Sequence, residues 1–114
     1  MREIKFYKNQ SGKSPVEAFL NSLSAKQAQK VIWTLKLIEE LETVPKQYFK
    51  KLTNTDDIWE VRIQFGGNIF RLLGFIEEEK LIILNHAFQK KTQKTPIKEI
   101  KLSEQRKSDY QSRK

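Results

Sequence analysis

Residues 58–88 commit this chain to an antiparallel sheet. Ile58–Phe65 alternates, with Trp59, Val61, Ile63 and Phe65 on one side and Glu60, Arg62 and Gln64 on the other, which is the period of a strand with one buried face. Gly66-Gly67-Asn68 supplies a turn, Ile69–Ile76 a second strand, Glu77-Glu78-Glu79 another turn and Lys80–Phe88 a third strand. Connections this short join antiparallel neighbours, because a parallel pair needs a crossover of about a dozen residues or more. The centre of the chain is therefore a three-stranded meander.

The flanking segments supply helices. Glu3–Tyr7 alternates as a short N-terminal strand. Ser14-Pro15-Val16-Glu17 joins a cap, a first-turn proline and a capping-box glutamate, and predicts a short helix to about Leu23. Ser24 and Gln27 repeat the signal for a longer helix to about Thr43, with Ala28, Val31, Ile32, Leu35 and Ile38 at helical spacing. Trp33 and Leu37 lie one turn apart on its opposite side and need cover, from another helix or from a partner protein. Pro45 stops that helix, and Lys46–Asp57 reads as a loop. Thr95-Pro96 opens a last helix through roughly Tyr110, with a basic tail from about 111. With 114 residues and no linker, the expectation is one α+β domain over 1–114, its helices against one face of a largely antiparallel sheet.

Composition narrows the chemistry. The chain has no cysteine, which excludes disulfides, thiol catalysis and cysteine-held metals, and one histidine, His86, which excludes any mechanism needing two imidazoles. No apolar run reaches the roughly 20 residues of a membrane span and the N-terminus lacks a secretory apolar core, so the expected compartment is the cytoplasm. The net charge of +8 is unevenly spread. Residues 1–79 carry 12 basic and 11 acidic side chains, whereas residues 80–114 carry 10 and 3. A positive field so localised calls for a polyanion, and nucleic acid is the simplest one.

A two-residue turn at Gly67-Asn68 would put Gln64 opposite Arg71 with Arg62 diagonal to it, and pairing Glu77 with Lys80 would place His86 opposite Arg71 with Phe88 beside the same face. Arg62, Arg71 and His86 then form one patch, from which Lys90-Lys91-Thr92-Gln93-Lys94 emerges. Either arginine alone could simply pair with Glu60 or with the acidic turn. Together with the lysine loop they suit RNA cleavage by the neighbouring 2′-hydroxyl, which needs a base, an acid and cations but neither metal nor cofactor. Arg62 and Arg71 would hold the phosphate oxygens. Lys90 beside Lys91 is in the situation that lowers a lysine pKa, so one of them could be the base, with the other or His86 as the acid. Phe88, Gln93 and Lys94 would contact the RNA. The carboxylates Asp56-Asp57 and Glu77–Glu79 sit in a loop and a turn and do not suggest a Mg²⁺ or Zn²⁺ site.

The runs Ile58-Trp59-Glu60-Val61-Arg62, Phe70-Arg71-Leu72-Leu73 and Leu84-Asn85-His86-Ala87-Phe88-Gln89-Lys90-Lys91-Thr92-Gln93-Lys94-Thr95-Pro96 resemble the phage-derived branch of the HigB-like toxins in the RelE/ParE superfamily. The last run, F-x-K-K-T-x-K-T-P before a basic helix, is the specific one. The resemblance implies a RelE-like fold and the toxin of a type II toxin–antitoxin system, an endoribonuclease that cleaves mRNA on the ribosome. It also implies a cognate antitoxin, usually with a helix-turn-helix DNA-binding domain, in a hetero-oligomeric complex. By position, the family's basic residues fall on Arg62, Arg71, Lys90 and Lys91. Two other readings stay open: a gyrase poison of ParE type, and a noncatalytic nucleic-acid-binding module.

Overall fold

Ser14 and Ser24 start the first two helices as their spacing predicts. A computed structural model of the chain describes residues 1–91 and 94–114. In it the Ser14 hydroxyl accepts from Glu17 N–H (3.1 Å) at the head of α1 (Pro15–Asn21). Ser24 and Gln27 form a reciprocal capping box at the head of α2 (Ala25–Glu40). α2 ends a turn before Thr43 because the chain start closes it: the Arg2 guanidinium donates to the carbonyls of Ile38, Leu41 and Glu42, which have no partner within the helix. Arg2 leads into β1 (Glu3–Phe6), where Ile4 N–H donates to the Glu39 carboxylate (2.9 Å).

The meander is present as β3 (Trp59–Phe65), β4 (Asn68–Glu78) and β5 (Leu81–Lys90). β1 pairs parallel to β5, and β2 (Phe49–Lys51) pairs antiparallel to β3, giving a five-stranded sheet of order β1-β5-β4-β3-β2. β2 lies inside the segment read as a loop. Three residues are too few to show alternation, and only buried Phe49, stacked on Trp59 at 4.7 Å, fixes it.

The first hairpin turns one residue earlier than expected, at Gly66-Gly67, because Gly66 takes φ +60° as the first central position of a primed turn requires. Phe65 therefore faces Asn68, and Arg62 faces Arg71 directly. This pairing lies two residues from the expected one, so every side chain keeps its face. The second hairpin carries irregularities between Leu73 and Gly74 and between Ile76 and Glu78. At the first, Asn85 is an extra residue on β5, since Leu73 faces His86 while Gly74 faces Leu84. Gly74 allows the strands to come this close: a Cβ there would fall on the Ile83 carbonyl oxygen and 2.8 Å from Leu84 Cα.

The helices cover both faces, not one. Val16, Val31, Leu35 and Ile38 of α1 and α2 pack with Val61, Ile63, Phe70, Leu72, Ile82 and Leu84 in the main core. α3 (Ile97–Ser112) lies on the opposite face, where Ile100 and Tyr110 meet two smaller clusters around Leu73 and Phe75. Its fastening is otherwise polar. Asn85 Nδ2 donates to Ser103 C=O and the Ser103 hydroxyl donates to Asn85 Oδ1. The Lys107 ammonium donates to Asp56 C=O (2.7 Å), and the Tyr7 hydroxyl donates to the Asp109 carboxylate. Thr95 does not cap α3; its hydroxyl donates to Glu60 instead. The helix runs to Ser112, and Arg113 turns back to Asp109 and Lys8 C=O. No described helix is long and apolar enough to cross a membrane.

Candidate active site

Side chains that face one another across a sheet point to the same side. The register therefore stacks three rows on the α3 face: Lys50, Glu60, Leu73 and His86; then Arg62, Arg71 and Phe88; then Gln64, Ile69 and Lys90. The Asn85 bulge is what brings Lys90 there. Counting in strict alternation from Leu84, which lies in the main core, residues 86, 88 and 90 would turn toward α1 and α2. The extra residue reverses them onto the arginine side.

The rows assemble a largely buried cluster of charge. Arg71 is 7% exposed, Lys90 7% and Glu60 3%. Glu60 Oε1 stands 3.5 Å from Arg62 Nε and 3.4 Å from Arg71 Nε, ion-pair contacts that leave both Nε atoms without a hydrogen-bond acceptor among the described residues. The Arg71 Nη1 atom donates to Phe70 C=O (3.2 Å). One carboxylate thus stands among Arg62, Arg71 and Lys90, with Lys50 opposite it in its own row, so positive charge is left over where water is scarce. Such a cluster attracts an anion more strongly than surface lysines do. Burial first, and then the neighbouring Arg71 charge, push the Lys90 ammonium below the usual lysine range, while Glu60 pulls the other way. Burial likewise lowers Arg71.

Two cavities meet at Arg62. The larger, about 680 Å³, is lined by Lys50, Glu60, Arg62, Lys90, Lys94 and Lys101 and walled by the Thr53–Thr55 loop and the first turn of α3. It falls in the size range of nucleotide-sized ligand pockets. The smaller, about 430 Å³, reaches Arg62 and Arg71 from the sheet edge.

The structure thus unites Arg62, Arg71 and Lys90. Lys91 is exposed at the end of β5, and Lys94 lines the larger cavity. Gln93 lies outside the described residues. Phe88 is buried opposite Arg71, its ring stacked on His86 at 5.4 Å.

His86 faces Leu73 instead of Arg71, because the second turn falls at Glu79-Lys80, so that Glu78 faces Leu81, one residue later on each strand than expected; the shifts at Glu77 and Asn85 cancel. Both its ring nitrogens are engaged beneath α3. Arg106 can only donate, so Nδ1 accepts from it (3.0 Å) and Nε2 carries the proton shared with Glu99 (2.9 Å). Burial lowers its pKa from the ordinary 6.5, against the pull of Glu99. The unfolded chain then binds the proton more readily than the folded one, so His86 stabilises the fold above about pH 6.5 and that contribution fades as pH falls below it. Thermal melts from pH 7.5 to 5 should show His86→Gln with a flatter decline than the parent, by at most about 1.4 kcal/mol per pH unit.

Glu60, Lys50 and Thr95 were not singled out by sequence as members of the site. Glu60 shares the alternation of Arg62 and could have been placed from it; Lys50 and Thr95 join only through β2 and the α3 approach. Trp33 is 49% exposed on α2, and Leu37, one turn on, is half-buried.

The family model described as phage-derived protein Gp49-like (DUF891) matches residues 18–108, a span that holds the whole charged cluster. The chain belongs to the Gp49-like family. This is a family of RelE/ParE-like toxins, and the α+β sheet with its three helices agrees with a RelE-like fold. Membership of a Gp49-like toxin family also implies a cognate antitoxin. None of the curated proteins compared with this Gp49-like chain matches it.

Proposed function

We propose that this protein is an mRNA-cleaving toxin of the HigB-like branch, acting on the ribosome in the cytoplasm. The observation that carries the reading is the pairing of Arg62 with Arg71, one row from Lys90, around a single carboxylate and at the mouth of a nucleotide-sized cleft. In this reading the scissile phosphate sits at Arg62, where the two cavities join. Neutral Lys90 takes the proton from the 2′-hydroxyl, and the 2′-oxygen bonds to phosphorus. The bond from phosphorus to the 5′-oxygen then breaks, and Lys91 protonates that oxygen. The products are a 2′,3′-cyclic phosphate and a 5′-hydroxyl end. Arg62 and Arg71 stabilise the charge that builds on the phosphate oxygens. No step needs a metal, since the nucleophile is the substrate's own and the cations are the protein's.

Glu60 aligns the two guanidinium groups, and Lys94 and Gln93 guide the strand. His86, with both nitrogens engaged, acts as a positioning residue that holds α3 and Phe88. The lowered Lys90 pKa favours chemistry over mere binding, because a lysine used only to grip phosphate works best fully charged. The antitoxin, expected to bear a helix-turn-helix domain, would silence the toxin by laying an acidic segment over the basic cleft. Induction in cells followed by mapping of mRNA 5′ ends tests the reading: new 5′-hydroxyl ends are expected within coding regions. Growth arrest with intact transcripts and inhibited gyrase would overturn it in favour of the ParE-type reading.

A further inference from the structure

β2 covers little of its neighbour. It pairs with Trp59–Val61, and one more bond follows, from Arg62 N–H to Tyr48 C=O (2.8 Å), so among the described residues no strand lies beside the edge of β3 beyond Arg62. The smaller cavity wraps around that edge: Arg62, Gln64 and Arg71 reach it from one face of the sheet, and Lys30, Thr34 and Tyr48 line it from the other. Arg62 also lines the larger cleft, so the two cavities lie on either side of its side chain, one over the sheet face and one at the sheet edge. Trp33 stands beside the smaller one. Its ring meets Tyr48 edge-on at 6.5 Å, and the Lys30 ammonium lies 4.5 Å from its ring centroid.

We propose that Trp33, braced edge-on by Tyr48, forms a stacking platform for one base of the single-stranded RNA that leaves the arginine cleft around this edge. The inference rests on the reading of that cleft as an RNA site. The smaller cavity is lined by Lys30, Arg62 and Arg71 and by no acidic residue, which suits a continuing phosphate backbone. Tyr48 braces this exposed indole edge-on, and the Lys30 ammonium covers one of its faces. A base that stacks on that face moves the ammonium from the ring to its own phosphate, in the sequence-tolerant mode that single strands use. A helix-docking groove would need an apolar stripe. Of the residues one turn from Trp33 on α2, namely Gln29, Lys30, Lys36 and Leu37, only Leu37 is apolar, and Ile32, also exposed, lies about 100° round the helix and does not extend the Trp33 row into a stripe. The platform therefore takes RNA in preference to the antitoxin that Trp33 and Leu37 were expected to meet.

The test uses a short 2′-O-methyl RNA, which cannot be cleaved, titrated at low ionic strength against the full chain and its variants. Trp33→Ala should weaken binding by about 5- to 150-fold, the range of one stacked base, and Trp33→Phe should restore most of it. Removing the base at one position of the oligomer should cost the parent protein the same factor and cost Trp33→Ala nothing more. Failure of the parent to bind, equal affinity of parent and Trp33→Ala, or an abasic penalty that persists in the variant overturns the platform. Unchanged RNA affinity with lost capture of a cognate antitoxin also overturns it, and makes this a protein interface. Because the oligomer is never cut, binding through Trp33 without mRNA cleavage in cells would sink the nuclease reading and spare the platform.

Discussion

Replacing Arg71 by alanine should lower RNA cleavage about 10²- to 10³-fold, the usual cost of losing one preorganised donor to a charged transition state. The guanidinium lies on the second strand of the meander, buried between Arg62 and Phe88, so its position is set by the sheet and not by a loop. Truncation also leaves Glu60 buried with one partner fewer, and stability should fall by about 2–3 kcal/mol. The two effects can be separated. Glu60→Gln combined with Arg71→Ala removes the stranded carboxylate and should recover most of the melting temperature, yet cleavage should stay low. Recovery of cleavage along with stability would show that Arg71 serves the fold alone.

Lys90→Arg should leave RNA affinity nearly unchanged and reduce cleavage by about 10²- to 10⁴-fold, the range attributed to general acid–base catalysis. Arginine keeps the charge at this position but cannot give up its proton near neutral pH. The pH profile supplies the sign. Burial and Arg71 depress the Lys90 pKa, so the fraction of neutral amine grows as pH rises, and the parent rate should climb and level off below the ordinary lysine value. The arginine variant should show no such limb. A variant that cleaves as fast as the parent would move the base elsewhere, with Glu60 the nearest carboxylate to the arginine pair.

The sheet was legible because Ile58–Phe65 carries a period of two and the two apolar runs after it are bounded by turn residues, and the helix starts because Ser14 and Ser24 bear their partners three residues on. The joint presence of Arg62 and Arg71 on one face followed from the same alternation, and it survived a wrong turn residue because the correction was an even number of positions. Three features could not be seen that way. β2 has one apolar residue in three, and pairs through backbone groups that leave no pattern in side chains. The bulge at Asn85 becomes visible only when the Asn85 amide is matched with Ser103, 18 residues away. His86 looked like a candidate acid because it is the chain's single imidazole; its environment is set by Glu99 and Arg106, which sequence alone does not bring near it.

The seam between α3 and the sheet carries a consequence for the cleft. On the helix side, outside Ile100 and Tyr110, it is made of matched amides, hydroxyls and charges laid over the two small apolar clusters of the sheet. Ionic strength and acidity act on those matched groups far more than on the oily interior beneath α1 and α2. The same helix forms one bank of the channel in which the strand would lie, so solution conditions can slacken that bank while the barrier of packed side chains behind the sheet stays shut.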